Sequence, residues 1–264
     1  MISLQALVES SRATTARRRR RRSETELLER LAAAGLPGRD PGRLRAALAC
    51  PGLAVIAEVK GASPVEGVLR ADLQPCALAR EYEEAGAVAI SVLTEECHFG
   101  GSLEHLSAVA AAVDRPVLRK DFIVDPYQVH EAALAGASGV LLIAEVLDAA
   151  SLADLVAVAH GLGLDALVEV HDASSVPAAV ASGSGLIGVN NRDLETMQVD
   201  WRHALEVAVH LPADVVRVAE SGIDSHAQLQ RLHAAGYDAA LIGSSLVRAA
   251  NPAEALRGML GGGD

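Results

Sequence analysis

Aromatic side chains are nearly missing from this sequence. Two Phe, three Tyr and one Trp are spread over 264 residues, so Ala, Val, Leu and Ile must supply the packing. Cysteine is scarce too. Cys50, Cys76 and Cys97 are an odd, scattered set without a Cys-x-x-Cys pair, which argues against a disulfide framework and points to a reducing, cytoplasmic setting. Each reads as a small apolar filler. No apolar run reaches the roughly 20 residues that span a bilayer. The opening stretch, MISLQALVESSR, lacks a basic start followed by a long apolar run, so neither a secretory signal nor a membrane partner is expected. Nine histidines are present, but there is no His-x-His at a strand end and no His-Glu-x-x-His, so no metal is expected.

The charge is lopsided. A formal net charge of −11 lacks the basic footprint of a nucleic-acid binder, and no nucleic-acid partner is expected. Arg17 to Arg22, six consecutive arginines, runs against that average. With no aromatics interleaved, the run reads as a solvated helix face rather than a polyanion site.

Half of the residues are apolar, enough for a sizeable core. Residues 1–50 read as a polar helical extension. Ser23 and Glu26 fit a capping box, Leu27, Leu28 and Leu31 share a face, and Gly35, Pro37 and Gly38 end the pattern. Eight short apolar runs follow: Leu53–Val59, Ala87–Leu93, Val117–Leu118, Gly139–Ile143, Ala166–Val170, Leu186–Val189, Val216–Ala219 and Ala239–Ile242. Helix-period segments separate them, such as Leu73–Glu84, Ser102–Val113, Ser151–His160 and Ser225–Ala235. Near-continuous apolar runs suit strands buried on both faces of a parallel sheet. Eight strand–helix units predict an α/β fold, a (β/α)8 barrel forming one domain over 1–264 that includes the extension. A doubly wound open sheet is the competing architecture, but no Gly-x-Gly-x-x-Gly fingerprint follows the first run.

In such a barrel, chemistry gathers at the carboxyl ends of the strands. The runs end in Glu58-Val59-Lys60, Arg119-Lys120-Asp121, Glu169-Val170, Asn190-Asn191-Arg192, Glu220-Ser221-Gly222 and Gly243-Ser244-Ser245. With a side-chain period of two, Glu58 and Lys60 share a face, as do Asn190 and Arg192. A charge inside an apolar strand is costly unless it is paired or faces a wet pocket, and one shared mouth accounts for all of these.

Lysine use sharpens the picture. The chain has 21 arginines and two lysines, Lys60 and Lys120, both at strand ends. Arg replaces Lys well on a solvated face but cannot give up its proton, whereas a partly buried Lys can do acid–base work. Ser221-Gly222 and Gly243-Ser244-Ser245 offer small residues through which backbone N–H groups can approach a phosphate, at the strands where barrels often bind one.

These blocks resemble the indole-3-glycerol-phosphate synthase family from about Leu53 to Leu246. The matching stretches are Ile56–Pro64, Ser91–Glu104, Val117–Gln128, Leu141–Leu147, Leu167–His171, Ile187–Leu194, Val218–Ile223 and Leu241–Leu246. A polar N-terminal helical extension is also a family feature. The resemblance implies ring closure of 1-(2-carboxyphenylamino)-1-deoxyribulose 5-phosphate to indole-3-glycerol phosphate, with loss of CO2 and water, in tryptophan biosynthesis and without a cofactor. By position it makes Lys120 the general acid and Glu169 its acid–base partner. Lys60 beside Glu58 becomes a second cation near the substrate's anionic groups. Asn190 and Glu220 hydrogen-bond the sugar chain or the intermediate, and Ser63 and Arg192, next to Pro64, meet the carboxylate. Phe99, Phe122, Leu141 and Leu194 sandwich the aromatic ring near Leu241, and Ser221, Gly222, Gly243 and Ser244 hold the phosphate. The implied partner is a small phosphorylated substrate, and the expected state is a monomer or weak homo-oligomer.

The chain departs from the family pattern at Gly61, where Arg or Lys is usual, at Val65-Glu66, where Ser-x is usual, and at Glu145, where a small or basic residue is common. The sister barrel phosphoribosylanthranilate isomerase would use a Cys and Asp pair at strand ends, and neither Cys50 nor Cys97 is so placed. A non-catalytic barrel with an Arg-rich nucleic-acid arm would carry a broken catalytic set, and this set is complete.

Overall fold

Eight parallel strands close on themselves, each hydrogen-bonded to its neighbours in chain order and the eighth to the first. They are β1 (Ala54–Val59), β2 (Ala89–Leu93), β3 (Val117–Lys120), β4 (Gly139–Ile143), β5 (Asp165–Val170), β6 (Leu186–Asn190), β7 (Val216–Glu220) and β8 (Ala239–Ile242). This computed structural model describes residues 2–36, 42–193 and 196–261. The eight apolar runs of the sequence are these eight strands.

Helices fill the connections. Before β1 come α1 (Leu4–Arg21), α2 (Glu24–Ala33) and α3 (Arg43–Leu48). The outer ring follows as α4 (Pro75–Glu84), α5 (Glu96–Phe99), α6 (Leu103–Ala112), α7 (Pro126–Ala135), α8 (Ala149–Gly161), α9 (Val176–Ala181), α10 (His203–Val207), α11 (His226–Ala234), α12 (Ser244–Val247) and α13 (Pro252–Met259). Short polar side chains start many of them. Ser102, Asp125 and Asp148 each accept a hydrogen bond from a first-turn N–H, and Pro126 follows Asp125 where its missing N–H costs nothing.

The strand period of two sorts the apolar residues into two layers. On β1, Val55, Ala57 and Val59 pack between barrel and helices, while Ala54 and Ile56 pack inside the barrel. The same parity carries Glu58 and Lys60 inward at the mouth.

The expectation of a helical extension ahead of the barrel holds in chain order but not in space, because its helices close both ends. At the bottom, Leu44 and Leu48 of α3 enter the interior core. Gly139 makes room there, since a Cβ at that position would lie 2.7 Å from Leu44 Cδ2. Asp165, buried at the start of β5, accepts from the N–H groups of Leu44 and Arg45 at 2.9 and 3.0 Å. At the top, Leu7 and Val8 of α1 join the interior core beside Phe122, Leu141 and Ile143. Ser11 Oγ donates to the Phe122 carbonyl at 2.8 Å, stitching α1 to the rim after β3.

The arginine run differs from the solvated face expected of it. Arg18 grips Glu131 through Nε and Nη2 at 2.7 and 3.0 Å and also reaches Glu96 at 2.9 Å. Arg19 bonds Asp125 at 2.6 Å. Arg20 and Arg21 are exposed, so the run mixes anchors with solvated positions. In α2, Ser23 caps at Glu26 N, 3.2 Å away, and Leu27 and Leu31 are buried, whereas Leu28 turns outward. Pro37 and Gly38, expected to end that helix, lie outside the described residues. No helix among the described residues is long and apolar enough to cross a membrane.

Two tests follow from the end-caps. Asp165→Ala strands two helix-start N–H groups far from the mouth, so stability should fall by about 1–3 kcal/mol with kcat nearly unchanged. A melting temperature equal to wild type would refute the bottom-cap role. Arg18→Ala should lower the melting temperature clearly, because it leaves the nearly buried Glu131 short of a partner, whereas Arg20→Ser with Arg21→Ser should leave it within error. Equal effects from the two variants would return the run to a solvated face.

Candidate active site

The mouth of the barrel holds a cavity of about 490 Å³. Its lining contains Glu58, Lys60, Ser63, Pro64, Phe99, Lys120, Phe122, Leu141, Glu169, Asn190, Arg192, Glu220, Ser221, Gly222, Leu241, Gly243 and Ser244, which are the residues singled out from the sequence. Leu194, the remaining one, lies outside the described residues.

Lys120 is the hub. Its Nζ donates to Glu220 Oε2 at 2.8 Å and to Glu169 Oε2 at 3.1 Å. Asn190 Nδ2 donates to the other Glu169 oxygen at 3.0 Å, and Asn190 Oδ1 accepts from Arg192 N at 3.0 Å. On the opposite wall, Lys60 Nζ sits 2.7 Å from Glu58 Oε1. Burial alone would depress the Lys120 ammonium, but the acidic side chains of Glu169, Glu220 and Glu58 outweigh it and raise it above the ordinary lysine value. The two acids divide. Burial pushes the Glu220 carboxyl up to about 8, with Lys120 opposing and Glu169 adding. Burial works upward on Glu169 as well, yet Lys120 and the Asn190 amide hold it below the usual range. Glu169 is thus the anion of the pair and Glu220 the group that keeps a proton, which separates base from acid by environment alone.

Two glycines make room for these acids. A Cβ at Gly188 would lie 2.2 Å from Glu220 Oε1, and one at Gly243 would lie 2.2 Å from Glu58 Oε1. Both stand on inward-facing positions of β6 and just after β8. Glu220 Oε1 is buried against Gly188, where only a residue without a side chain leaves it room.

Apolar residues form one side of the cavity. Phe99 and Phe122 lean on each other with ring centroids 6.2 Å apart and planes at 42°. They make one stretch of wall together, with Leu141 beside them. Leu7 of α1, Leu93 and Ile143 extend that wall. The sequence carried no local signal for Leu7, because its position depends on where α1 docks.

The rim after β7 and β8 is built from tight turns. Ser221 and Gly222 both have positive φ, 65° and 73°. For Ser221 this is a strained conformation of the kind that gathers at functional sites. The Asn191 side chain holds it by donating to the Ser221 carbonyl at 3.0 Å. Ser244 opens α12, and Arg248 closes it one turn later. Arg248 was missed in the sequence, although a spacing of four from Ser244 places both on one helix face. Ser63 is turned to its own loop, accepting from Glu66 N at 2.9 Å, and Arg192 Nη1 donates to the Met197 carbonyl at 3.0 Å. His171 touches the site from behind: its Nδ1 lies 2.8 Å from the Asn190 carbonyl and its ring stacks on His203 with centroids 4.5 Å apart.

The geometry can be set against known proteins. By fold, the chain resembles a 3-hexulose-6-phosphate synthase at a TM-score of 0.65 and 18% identity, covering 80% of this chain and 99% of that one. By sequence, it is 48% identical over 258 residues to an indole-3-glycerol phosphate synthase of Micrococcus luteus, covering 97% of this chain and 96% of that protein. It is 46% identical over 258 residues to the indole-3-glycerol phosphate synthase 2 of Streptomyces coelicolor, covering 98% of each. The family model for indole-3-glycerol phosphate synthase matches residues 4–259. That span takes in the capping α1 as well as every strand of the barrel, and the chain belongs to the indole-3-glycerol phosphate synthase family.

Proposed function

We propose that this protein converts 1-(2-carboxyphenylamino)-1-deoxyribulose 5-phosphate to indole-3-glycerol phosphate, CO2 and water. The observation that carries the reading is Lys120 Nζ held between Glu169 and Glu220 beside an apolar wall. The substrate's aromatic ring rests on Phe99, Phe122 and Leu141, with Leu194 as a further expected contact. Its carboxylate meets Lys60, Arg192 and Ser63 near Pro64. Its phosphate meets Ser221, Gly222, Gly243 and Ser244.

The reaction needs a proton at the ketone oxygen as the ring carbon bearing the carboxylate attacks the ketone carbon. Lys120 supplies it. The flanking acids keep the ammonium charged at neutral pH, so the donor is loaded before each turnover, and the alkoxide that develops is far more basic than a carboxylate. CO2 then leaves and the ring regains aromaticity. The new hydroxyl departs as water once it is protonated, while Glu169 removes the proton that lets the five-membered ring form its double bond. Glu220 and Asn190 hydrogen-bond the sugar hydroxyls. Closing the site under α1 excludes bulk water, which strengthens each of these interactions. The free thiols of Cys50, Cys76 and Cys97 suit a reducing, cytoplasmic setting.

The direct test is turnover of the carboxyphenylamino substrate, read by indole fluorescence. Lys120→Arg keeps the charge but not the transferable proton. Its kcat should fall at least about 100-fold, the low end of general-acid catalysis. Retention of more than about a tenth of wild-type kcat would make Lys120 a charge anchor and pass the acid's role to Lys60.

Glu220 gives a pH signature. Its folded-state value, about 8, lies above the ordinary carboxylate value of about 4.3. The folded protein therefore holds an extra proton between those limits, and Glu220 contributes stability that is full below roughly pH 4 and is lost as pH rises through about 8. Glu220→Gln is neutral throughout, so its melting temperature should drop less than that of wild type from about pH 5 to pH 8. Parallel profiles for the two proteins would show that Glu220 is already ionised at neutral pH.

A further inference from the structure

The loop after β1 places an anion where the phosphate is expected. It forms a small hairpin in which Ala62 pairs with Val68 and Ser63 with Gly67, and Glu66 stands at its tip. Ser244 Oγ donates to Glu66 Oε2 at 2.7 Å, and Arg248 Nη1 lies 2.8 Å from Glu66 Oε1. Burial raises the Glu66 carboxyl, but the Ser244 hydrogen bond, Arg248, Lys60 and Arg192 together hold it below the usual range, so this corner favours negative charge. Little else fastens the tip. Val65 and Val68 are exposed, and the loop's other ties are to itself: Ser63 Oγ accepts from Glu66 N at 2.9 Å and reaches Glu66 Oε2 at 3.5 Å, and the Leu69 and Arg70 N–H groups bond the Gly61 carbonyl at its root.

We propose that Glu66 is an internal competitor for the phosphate: its carboxylate occupies the side-chain donors of Ser244 and Arg248, and a phosphate ester binds by displacing it. This rests on the assignment of the β7 and β8 rim to the substrate's phosphate. The exchange selects for the right group. A phosphate carries about −1.5 to −2 charge and three acceptor oxygens, so it outcompetes a single carboxylate for the donors of Ser244 and Arg248 in the field of Lys60 and Arg192. A carboxylate ligand gains nothing over the one already in place. The substrate has both an aryl carboxylate and a phosphate, and Glu66 thereby bars the carboxylate end from the phosphate corner and sets the binding direction. The tip is an inexpensive element to move, since its contacts are few and polar and its apolar residues face solvent.

The test compares wild type with Glu66→Gln and Glu66→Lys, using inorganic phosphate as competitive inhibitor and the phosphorylated and dephosphorylated substrates. Removing the competitor should lower the Ki of inorganic phosphate and the KM of the phosphorylated substrate by about 3- to 10-fold in Glu66→Gln, the scale of a partly exposed charge-assisted contact, and further in Glu66→Lys. The change should fall on KM more than on kcat, and the KM of the dephosphorylated substrate should not fall with it. If Glu66 merely ordered the loop, its loss would raise KM for both substrates, which would overturn the proposal. Phosphate competing equally well against wild type and both variants would overturn it while leaving the phosphate site intact. Phosphate failing to compete with wild type and with both variants would overturn the site assignment itself, and the proposal with it.

Discussion

Everything at the mouth of this barrel is arranged around one ammonium group enclosed by carboxylates. Glu58, Glu169 and Glu220 face Lys60 and Lys120, a formal sum of −1 if every group is charged. Burial makes an uncompensated charge expensive, and one proton on Glu220 brings the sum to zero. The cluster thus settles into an ion pair, Lys120 with Glu169, and a neutral acid, Glu220. An acid, a base and a proton reserve come from three side chains of two kinds, distinguished only by who faces whom. The glycine at 188 is part of the same constraint, because a side chain there would occupy the place of a Glu220 oxygen.

Such a cluster persists only if its walls are closed, and the N-terminal helices supply the closure. α3 seals the bottom with Leu44 and Leu48, and α1 lays Leu7 and Val8 against the top. The barrel would otherwise expose an apolar interior at both ends. The docking of α1 is largely polar. Ser11 bonds the Phe122 carbonyl, and Arg18 bonds Glu131. A polar seam suits a cap near an active site, because it fixes position through directed hydrogen bonds without burying the cleft it covers.

The strands, their inward parity and the polar strand-end residues of the pocket were legible in the sequence as local pattern: apolar runs for buried parallel strands, a period of two for direction, and scarce lysine for chemistry; Phe99, Leu141 and Leu241 came only with the family resemblance. What was not legible depends on contacts between distant segments. Leu7 belongs to the pocket only because α1 folds back over it. Arg18 and Arg19 are anchors only because Glu131 and Asp125 stand opposite. Phe99 and Phe122 form one wall because of a 6.2 Å approach that no spacing encodes. Val65-Glu66 could be seen as a departure from the family pattern, but its meaning required the hairpin that carries Glu66 to Ser244.

The triplet Arg119-Lys120-Asp121 shows how one strand end serves both structure and chemistry. Lys120 points inward. Arg119, on the opposite face, is fully buried behind the barrel, donating to Thr94 Oγ1, the Gln128 carbonyl and Asp121 at 3.0, 2.6 and 2.8 Å. Glu131 lies 3.6 Å from the same guanidinium and bonds Arg18 on its other side. Gln128 in turn donates to Ser11 Oγ at 3.0 Å. A continuous polar network therefore runs from α1 through α7 to the backbone on either side of Lys120. A guanidinium with its fixed fork of donors suits this outer position, since it holds several acceptors in one plane and never titrates, while the inner position requires a group whose proton can leave. The choice of Arg outside and Lys inside at adjacent residues is the same division that leaves the whole chain with two lysines. Arginine serves wherever charge must hold geometry, and lysine remains where a movable proton is needed.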